Sequence, residues 1–165
     1  MRVIRVDPYH PIVGLLIPQL TARMLEFSRT LSPELNAELV VRNFMVRLWS
    51  QDVGTLLLAY VDEKGAVSGH AAATVQTTDD GQKIVFISQC RADGNVGDAL
   101  QLGIDLLIQW GKAHGAIALT MTTTRSEKAW ERRAGFREYR KIMIRMLNDE
   151  GASDAAGSPV NAEEA

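Results

Sequence analysis

The clearest alternation of polar and apolar positions in this chain lies between residues 98 and 136. Asp98, Gln101, Asp105, Gln109 and Lys112 recur at spacings of 3, 4, 4 and 3, with nearly every residue between them apolar. That period is helical. It predicts an amphipathic helix from Asp98 to His114, ended by Gly115. Residues 117–124, Ile-Ala-Leu-Thr-Met-Thr-Thr-Thr, read as a strand. Ser126 to Ala134 read as a short helix closing on Gly135-Phe136.

Upstream, Arg2–Val6 alternates as a short strand. Asp7-Pro8 predicts an N-cap followed by a first-turn proline. The helical stretch it opens runs to about Thr30, and Pro18 should kink or split it. Ser32-Pro33 repeats the signal before an amphipathic helix whose apolar positions include Leu35, Leu39, Phe44, Leu48 and Trp49. Thr55–Val61, Val67–Thr77 and Lys83–Cys90 predict three strands, with hairpin turns at Glu63-Lys64-Gly65 and Asp79-Asp80-Gly81. Tyr139–Leu147 predicts a last strand with Ile142, Ile144 and Met146 on one face. The order is β-α-α-β-β-β-α-β-α-β. It implies an α/β (α+β) fold in which an antiparallel meander joins a β-α-β unit, giving a mixed sheet with helices on both faces.

With 165 residues and 46% apolar content, the chain suits one domain with a substantial core. That domain spans residues 1–147. No apolar run reaches the roughly 18 residues of a membrane span, and the first residues lack the apolar run of a signal peptide. Cys90 is the sole cysteine, which excludes an intrachain disulfide and a cysteine-based metal site and fits a reducing cytoplasm.

The net charge of −2 hides an asymmetry. Residues 148–165 hold five of the 20 acidic residues and none of the 18 basic ones, so this tail carries −5 and the domain +3. The tail is low in complexity and aperiodic, and is expected to be disordered in isolation. Residues 125–145 carry a local excess of +5, read as a solvated basic face. No aromatic residues interleave with those charges, which argues against nucleic acid as a partner.

Three local patterns carry a resemblance. They are Val67-Ser-Gly-His70, then Ile108-Gln-Trp-Gly-Lys-Ala-His-Gly115, then Ala129-Trp-Glu-Arg-Arg-Ala-Gly-Phe136. In this order and spacing the chain resembles the GNAT superfamily of acyl-CoA N-acyltransferases over residues 1–147. More narrowly it is similar to divergent GNAT-like proteins encoded by bacteriophages. The resemblance implies acetyl-CoA or CoA as cofactor, without a metal. It also implies that a glycine loop after the fourth strand holds the pyrophosphate on backbone amides and the positive end of a helix. The matching residues here are Arg91, Gly94, Asn95, Val96, Gly97 and Asp98.

The sequence departs from the family pattern at several points. Gly94 and Gly97 are three apart rather than two. Asp98-Ala-Leu-Gln101 reads as a capping box whose carboxylate would occupy the free amides itself. The tyrosine that the family uses as proton donor is replaced by Glu131, and an early asparagine of the closing element by Thr124 or a neighbour. The fourth strand contains no carboxylate, which leaves His70 as the candidate base, set against an ordinary packed histidine. His114 reads as a helix-end residue, His10 as a loop residue and Cys90 as a small buried hydrophobe. Trp49, Trp110 and Trp130 read as core or interface.

Two functions fit these residues. One is a divergent N-acyltransferase using acetyl-CoA with an amine acceptor. The other is a GNAT-fold interaction or assembly protein, such as a component of a phage particle, in which the tail contacts further copies of the chain or other virion subunits.

Overall fold

A computed structural model describes residues 1–31, 36–92, 97–122, 131–132 and 135–138. The order is β1 (Arg2–Arg5), α1 (Ile12–Leu31), α2 (Ala37–Trp49), β2 (Thr55–Val61), β3 (Val67–Thr77), β4 (Lys83–Ala92), α3 (Gly97–Ala113) and β5 (Ala116–Met121). The strands form one sheet in the order β1-β2-β3-β4-β5. The first four are antiparallel to their neighbours, and β4 and β5 are parallel. The mixed sheet implied by the element order is therefore present.

Both faces of the sheet are covered, which explains why β2 reads Thr-Leu-Leu-Leu-Ala-Tyr-Val without a polar alternate. Leu57, Ala59 and Val61 join Ala72 of β3 under Leu16, Leu20 and Met24 of α1 and Val41, Met45 and Leu48 of α2. Leu56 and Leu58 face the other way, with Ala71, Ala73, Val85 and Ile87, and meet Leu107 and Trp110 of α3. The predicted polar stripe of α3 is exposed at Asp98, Gln101, Asp105, Gln109 and Lys112.

Several boundaries differ from the expectations, each for a local reason. Asp7 does not cap α1. Its carboxylate accepts from Tyr9 N–H at 2.9 Å in a turn, and Ile12 N–H at the helix start donates to His10 Nδ1 at 3.1 Å. Pro18 neither ends nor splits α1. Both Pro18 and Gly14, whose carbonyl loses its partner, are exposed, so water can satisfy that carbonyl. The N-cap of α2 is Asn36 rather than Ser32, with Asn36 Oδ1 accepting from Leu39 N–H at 2.9 Å. Its inner face is Ala37, Val41, Met45 and Leu48, while Leu39 and Trp49 are exposed. Trp49 Nε1 donates to Pro8 O at 3.3 Å. β4 extends two residues beyond Cys90, and β5 stops at Met121, with Thr122 already outside the strand.

The hairpin turns lie where expected. Gly65 and Gly81 take φ of +85° and +82°, a region that favours glycine. Gly115 ends the helical turn after α3 at φ +75°. The start of the closing helix, the predicted last strand and the acidic tail lie outside the described residues.

Glycine also sets how closely α3 approaches the sheet. A Cβ on Gly103 would fall 2.3 Å from Tyr60 Oη, and one on Gly111 would fall 2.8 Å from Val85 Cγ2. Tyr60 is fully buried, so its ring has nowhere to retreat. Burial, with the Cys90 thiol beside it, pushes the Tyr60 phenol well above its usual range. Gly103→Ala should therefore destabilise the fold by about 1–3 kcal/mol through overpacking. Urea denaturation checks this, and an unchanged midpoint would contradict the close contact.

A second clasp joins α2 to β2. Arg47 Nε donates to Asp52 Oδ2 at 2.7 Å, and Gly54 N–H donates to Asp52 Oδ1 at 2.9 Å. The arginine bond and then the amide bond hold the Asp52 carboxyl below its ordinary 3.8. A depressed carboxyl contributes stability above its ordinary value and loses it as acid protonates the folded form. Wild type should be the more stable of the pair with Asp52→Asn at pH 7, and the gap should close below pH 3.8. Thermal melts at pH 7 and pH 3 measure both gaps.

Candidate functional site

A parallel pair of strands needs a crossover, and here the crossover is α3. The helix leaves the C-terminal end of β4 after residues 93–96 and returns to the N-terminal end of β5. Its N-terminus, the positive end of the helix dipole, thus lies at the edge where β4 and β5 both finish. Open sheets bind ligands at such carboxyl ends, where connections on the two sides diverge.

The pairing itself makes an opening there. β4 and β5 are in register from Lys83↔Ala116 to Ile87↔Met121 and no further. β4 continues to Ala92 against β3 alone. Among the described residues, no strand pairs with the other edge of residues 88–92. The floor of this opening on the α3 side is apolar. Cys90, Met121 and Phe136 all pack against buried Leu100 and Ile104. Gly135 takes φ +67° and its N–H donates to Glu131 O at 3.0 Å, so the glycine turns the chain out of the helix and delivers Phe136 to this floor.

On the other face the sheet carries a buried polar pair. A β-bulge places Ser88 between Gln89, opposite Ala72, and Ile87, opposite Ala73. Ser88 Oγ donates to Ala72 O at 3.1 Å. The bulge shifts the alternation by one, and Gln89 turns inward toward α1. Gln89 Nε2 donates to Leu20 O at 3.0 Å, and Gln89 Oε1 lies 3.1 Å from His70 Nε2. Leu20 O can only accept, which fixes the amide orientation, so Oε1 faces the histidine and His70 Nε2 carries the hydrogen. His70 is fully buried and Gln89 is buried.

The sequence-derived candidates are thus spread around the opening rather than gathered in one cluster. His70 sits beneath it as a packed, hydrogen-bonded residue. Arg91, exposed, stands opposite His70 near the end of β4. Gly97 opens α3 and Asp98 lies exposed in its first turn. Asp98 is thus a first-turn residue rather than the N-cap of the capping-box reading, and Gln101 Nε2 donates to Asp105 Oδ1 at 3.0 Å instead of turning back. Gly94, Asn95 and Val96 lie outside the described residues, as does Thr124. Glu131 is helical and exposed. His114 Nδ1 lies 2.8 Å from Trp110 O at the helix end, as read from the sequence. Gln89 escaped the sequence reading because strict alternation would have placed it with Val85 and Ile87 on the α3 face, whereas the bulge moves it to the α1 face. Its polar side chain in an otherwise apolar strand was the available signal.

Among the described residues, no group of histidine, cysteine or acidic side chains could hold a metal ion. No helix there is long and apolar enough to cross a membrane.

No protein-family model and no curated protein matches the chain. Solved structures match it well in shape. A probable acetyltransferase superposes with a TM-score of 0.62 at 15% identity, over 99% of this chain and 100% of that one. Glucosamine-6-phosphate N-acetyltransferase from Arabidopsis thaliana gives 0.61 at 12% identity, over 89% and 98%. An aminoglycoside acetyltransferase from an uncultured soil metagenomic sample gives 0.58 at 16%, over 87% and 97%. At such identities the likeness is one of fold. The chain shares the fold of these acetyltransferase structures, the kind of fold that the sequence resemblance implies.

The tautomer of His70 is open to direct measurement. Two-bond nitrogen–proton correlation spectra at neutral pH should show its Nε2 protonated. A lone pair on Nε2 would contradict the pairing with Gln89.

Proposed function

We propose that the protein is a GNAT-type N-acetyltransferase, which takes acetyl-CoA at the opening between β4 and β5 and passes the acetyl group to an amine. The observation that carries this reading is the end of parallel pairing at Ile87 and Met121 while β4 runs on to Ala92. The two strands part company beyond those residues, with β4 running on against β3. An extended, amide-bearing chain such as the pantetheine arm would lie where the two strands part. The apolar floor of Cys90, Met121 and Phe136 suits its methylene groups. The start of α3 would face the phosphates, with Arg91 as a nearby cation.

The chemistry needs few side chains. The amine nitrogen attacks the thioester carbonyl carbon, the N–C bond forms, the C–S bond breaks and the thiolate leaves. The nitrogen gives up a proton and the thiolate gains one, and water can carry both. The protein's contribution is alignment of amine and thioester, the largest lever on such a bimolecular step. Glu131 is exposed on its helix.

A second reading, an interaction module without transfer chemistry such as a virion-associated subunit, gains support from Gln89. A neutral amide, committed at both ends, fills the inward position of β4. On that reading the acidic tail of residues 148–165 serves contacts with other subunits.

The two readings separate in one assay. Full-length protein, acetyl-CoA and a panel of primary amines should release CoA thiol, and calorimetry should detect acetyl-CoA binding. Glu131→Gln should leave the rate nearly unchanged, whereas losing a general acid costs about a hundredfold. Absence of binding at millimolar acetyl-CoA would overturn the acetyltransferase reading.

A further inference from the structure

Helix α3 comes closest to the sheet at two glycines. Gly111 meets Val85 of β4, and Gly103 meets Tyr60 of β2. The second contact joins two residues that are each unfavourable locally. A glycine inside a helix weakens it relative to alanine. Tyr60 is fully buried, and among the described residues its hydroxyl has no hydrogen-bonding oxygen or nitrogen, with the Cys90 thiol beside it. A phenylalanine would bury the same ring without that cost. Ala99, one turn nearer the helix start, shares a buried cluster with the same tyrosine. Two residues that break local rules at one point of contact mark a geometry held for another purpose.

The two contacts make α3 a lever. Gly111 and Gly103 are eight residues apart, about 12 Å along the helix axis, and Gly97 lies six residues, about 9 Å, beyond Gly103. Around the rear contact, buried Leu107 and Trp110 pack with Val85 and Ile87 and hold that part of the helix down. A change of height at Gly103 then reaches Gly97 magnified by roughly 14/8. We infer that Tyr60 is a positioning residue: against Gly103 it sets the height above the sheet of the α3 end that faces the phosphates of acetyl-CoA. The inference rests on the acetyltransferase reading for its ligand, and on the contact between Tyr60 and Gly103 for its mechanics.

Tyr60 in this role is neither acid nor base. Burial keeps its phenol protonated, and it serves as a spacer one oxygen longer than phenylalanine. Removing that oxygen lets the front of α3 settle toward the sheet. A methyl group on Gly103 pushes it outward. Both changes together put a methyl group where the oxygen was, and the height returns. A tyrosine that only stabilised the fold would behave differently, since its loss would weaken every ligand in step with stability.

The test uses full-length protein and three variants: Tyr60→Phe, Gly103→Ala and the two combined. Calorimetry gives the affinity for acetyl-CoA. Titration followed by NMR gives the affinity for S-acetylpantetheine, which carries the thioester arm without the nucleotide and its phosphates. Urea denaturation gives stability. Tyr60→Phe should weaken acetyl-CoA binding about threefold, within the range of a helix end's effect on an anion. It should leave S-acetylpantetheine binding unchanged and the urea midpoint at or above that of wild type. Gly103→Ala should weaken acetyl-CoA binding and lower the midpoint. The combined variant should recover acetyl-CoA affinity and lose less stability than Gly103→Ala alone. The inference is overturned if Tyr60→Phe binds acetyl-CoA as wild type does, if S-acetylpantetheine weakens in step with acetyl-CoA, or if the combined variant binds no better than Tyr60→Phe. If wild type binds no acetyl-CoA, the acetyltransferase reading fails by itself. The denaturation data then still decide the contact, and strictly additive changes in stability would overturn it.

Discussion

Parallel pairing between β4 and β5 is the constraint on which the rest of this structure depends. Two adjacent parallel strands cannot be joined by a turn, so the chain must travel back along the sheet before the second strand begins. The 17 residues of α3 cover about 25 Å in doing so. That return path sets the helix start at the carboxyl edge, demands an apolar stripe facing Val85 and Ile87, and requires glycines at 103 and 111 where helix and sheet nearly touch. The described pairing then stops at Ile87 and Met121, and β4 runs on against β3.

The two faces of the sheet divide the work. On the α3 side, Phe136 and Met121 pack with Cys90 against Leu100 and Ile104. On the α1 side, the bulge at Ser88 brings Gln89 inward to meet His70 and Leu20 O. A one-residue insertion in β4 therefore does two things. It reverses the facing of every later residue in the strand, and it brings a polar side chain to His70 and Leu20 O.

Much of this frame was legible in the sequence. The polar stripe of α3, the three central strands and the glycine turns follow from period and turn chemistry, and they appear as read. The errors have physical causes. Asp7 and Ser32 both look like caps, because a side-chain oxygen before proline is a good local signal. Tertiary packing began α1 at Ile12 and α2 at Ala37 instead, with His10 and Asn36 as the bonded residues. Pro18 is tolerated because the helix face it occupies is wet. The site was less legible than the fold. His70 stands out in an alanine-rich strand, but its partner Gln89 does not, since a bulge is invisible to any count of alternating positions. Gly94, Asn95 and Val96 gave a loop pattern that only half matches an anion cradle, and only the flanking Arg91, Gly97 and Asp98 of that loop are among the described residues.

The account stands or falls on whether an acyl-CoA lies where β4 and β5 part. Amide chemical shifts of isotope-labelled protein titrated with CoA test this most directly. The account predicts the largest changes at residues 88–92, at Gly97 and Asp98, and at the end of β5 around Met121, with little change in β1 and β2. Saturable changes centred elsewhere, or none at millimolar CoA, would contradict it.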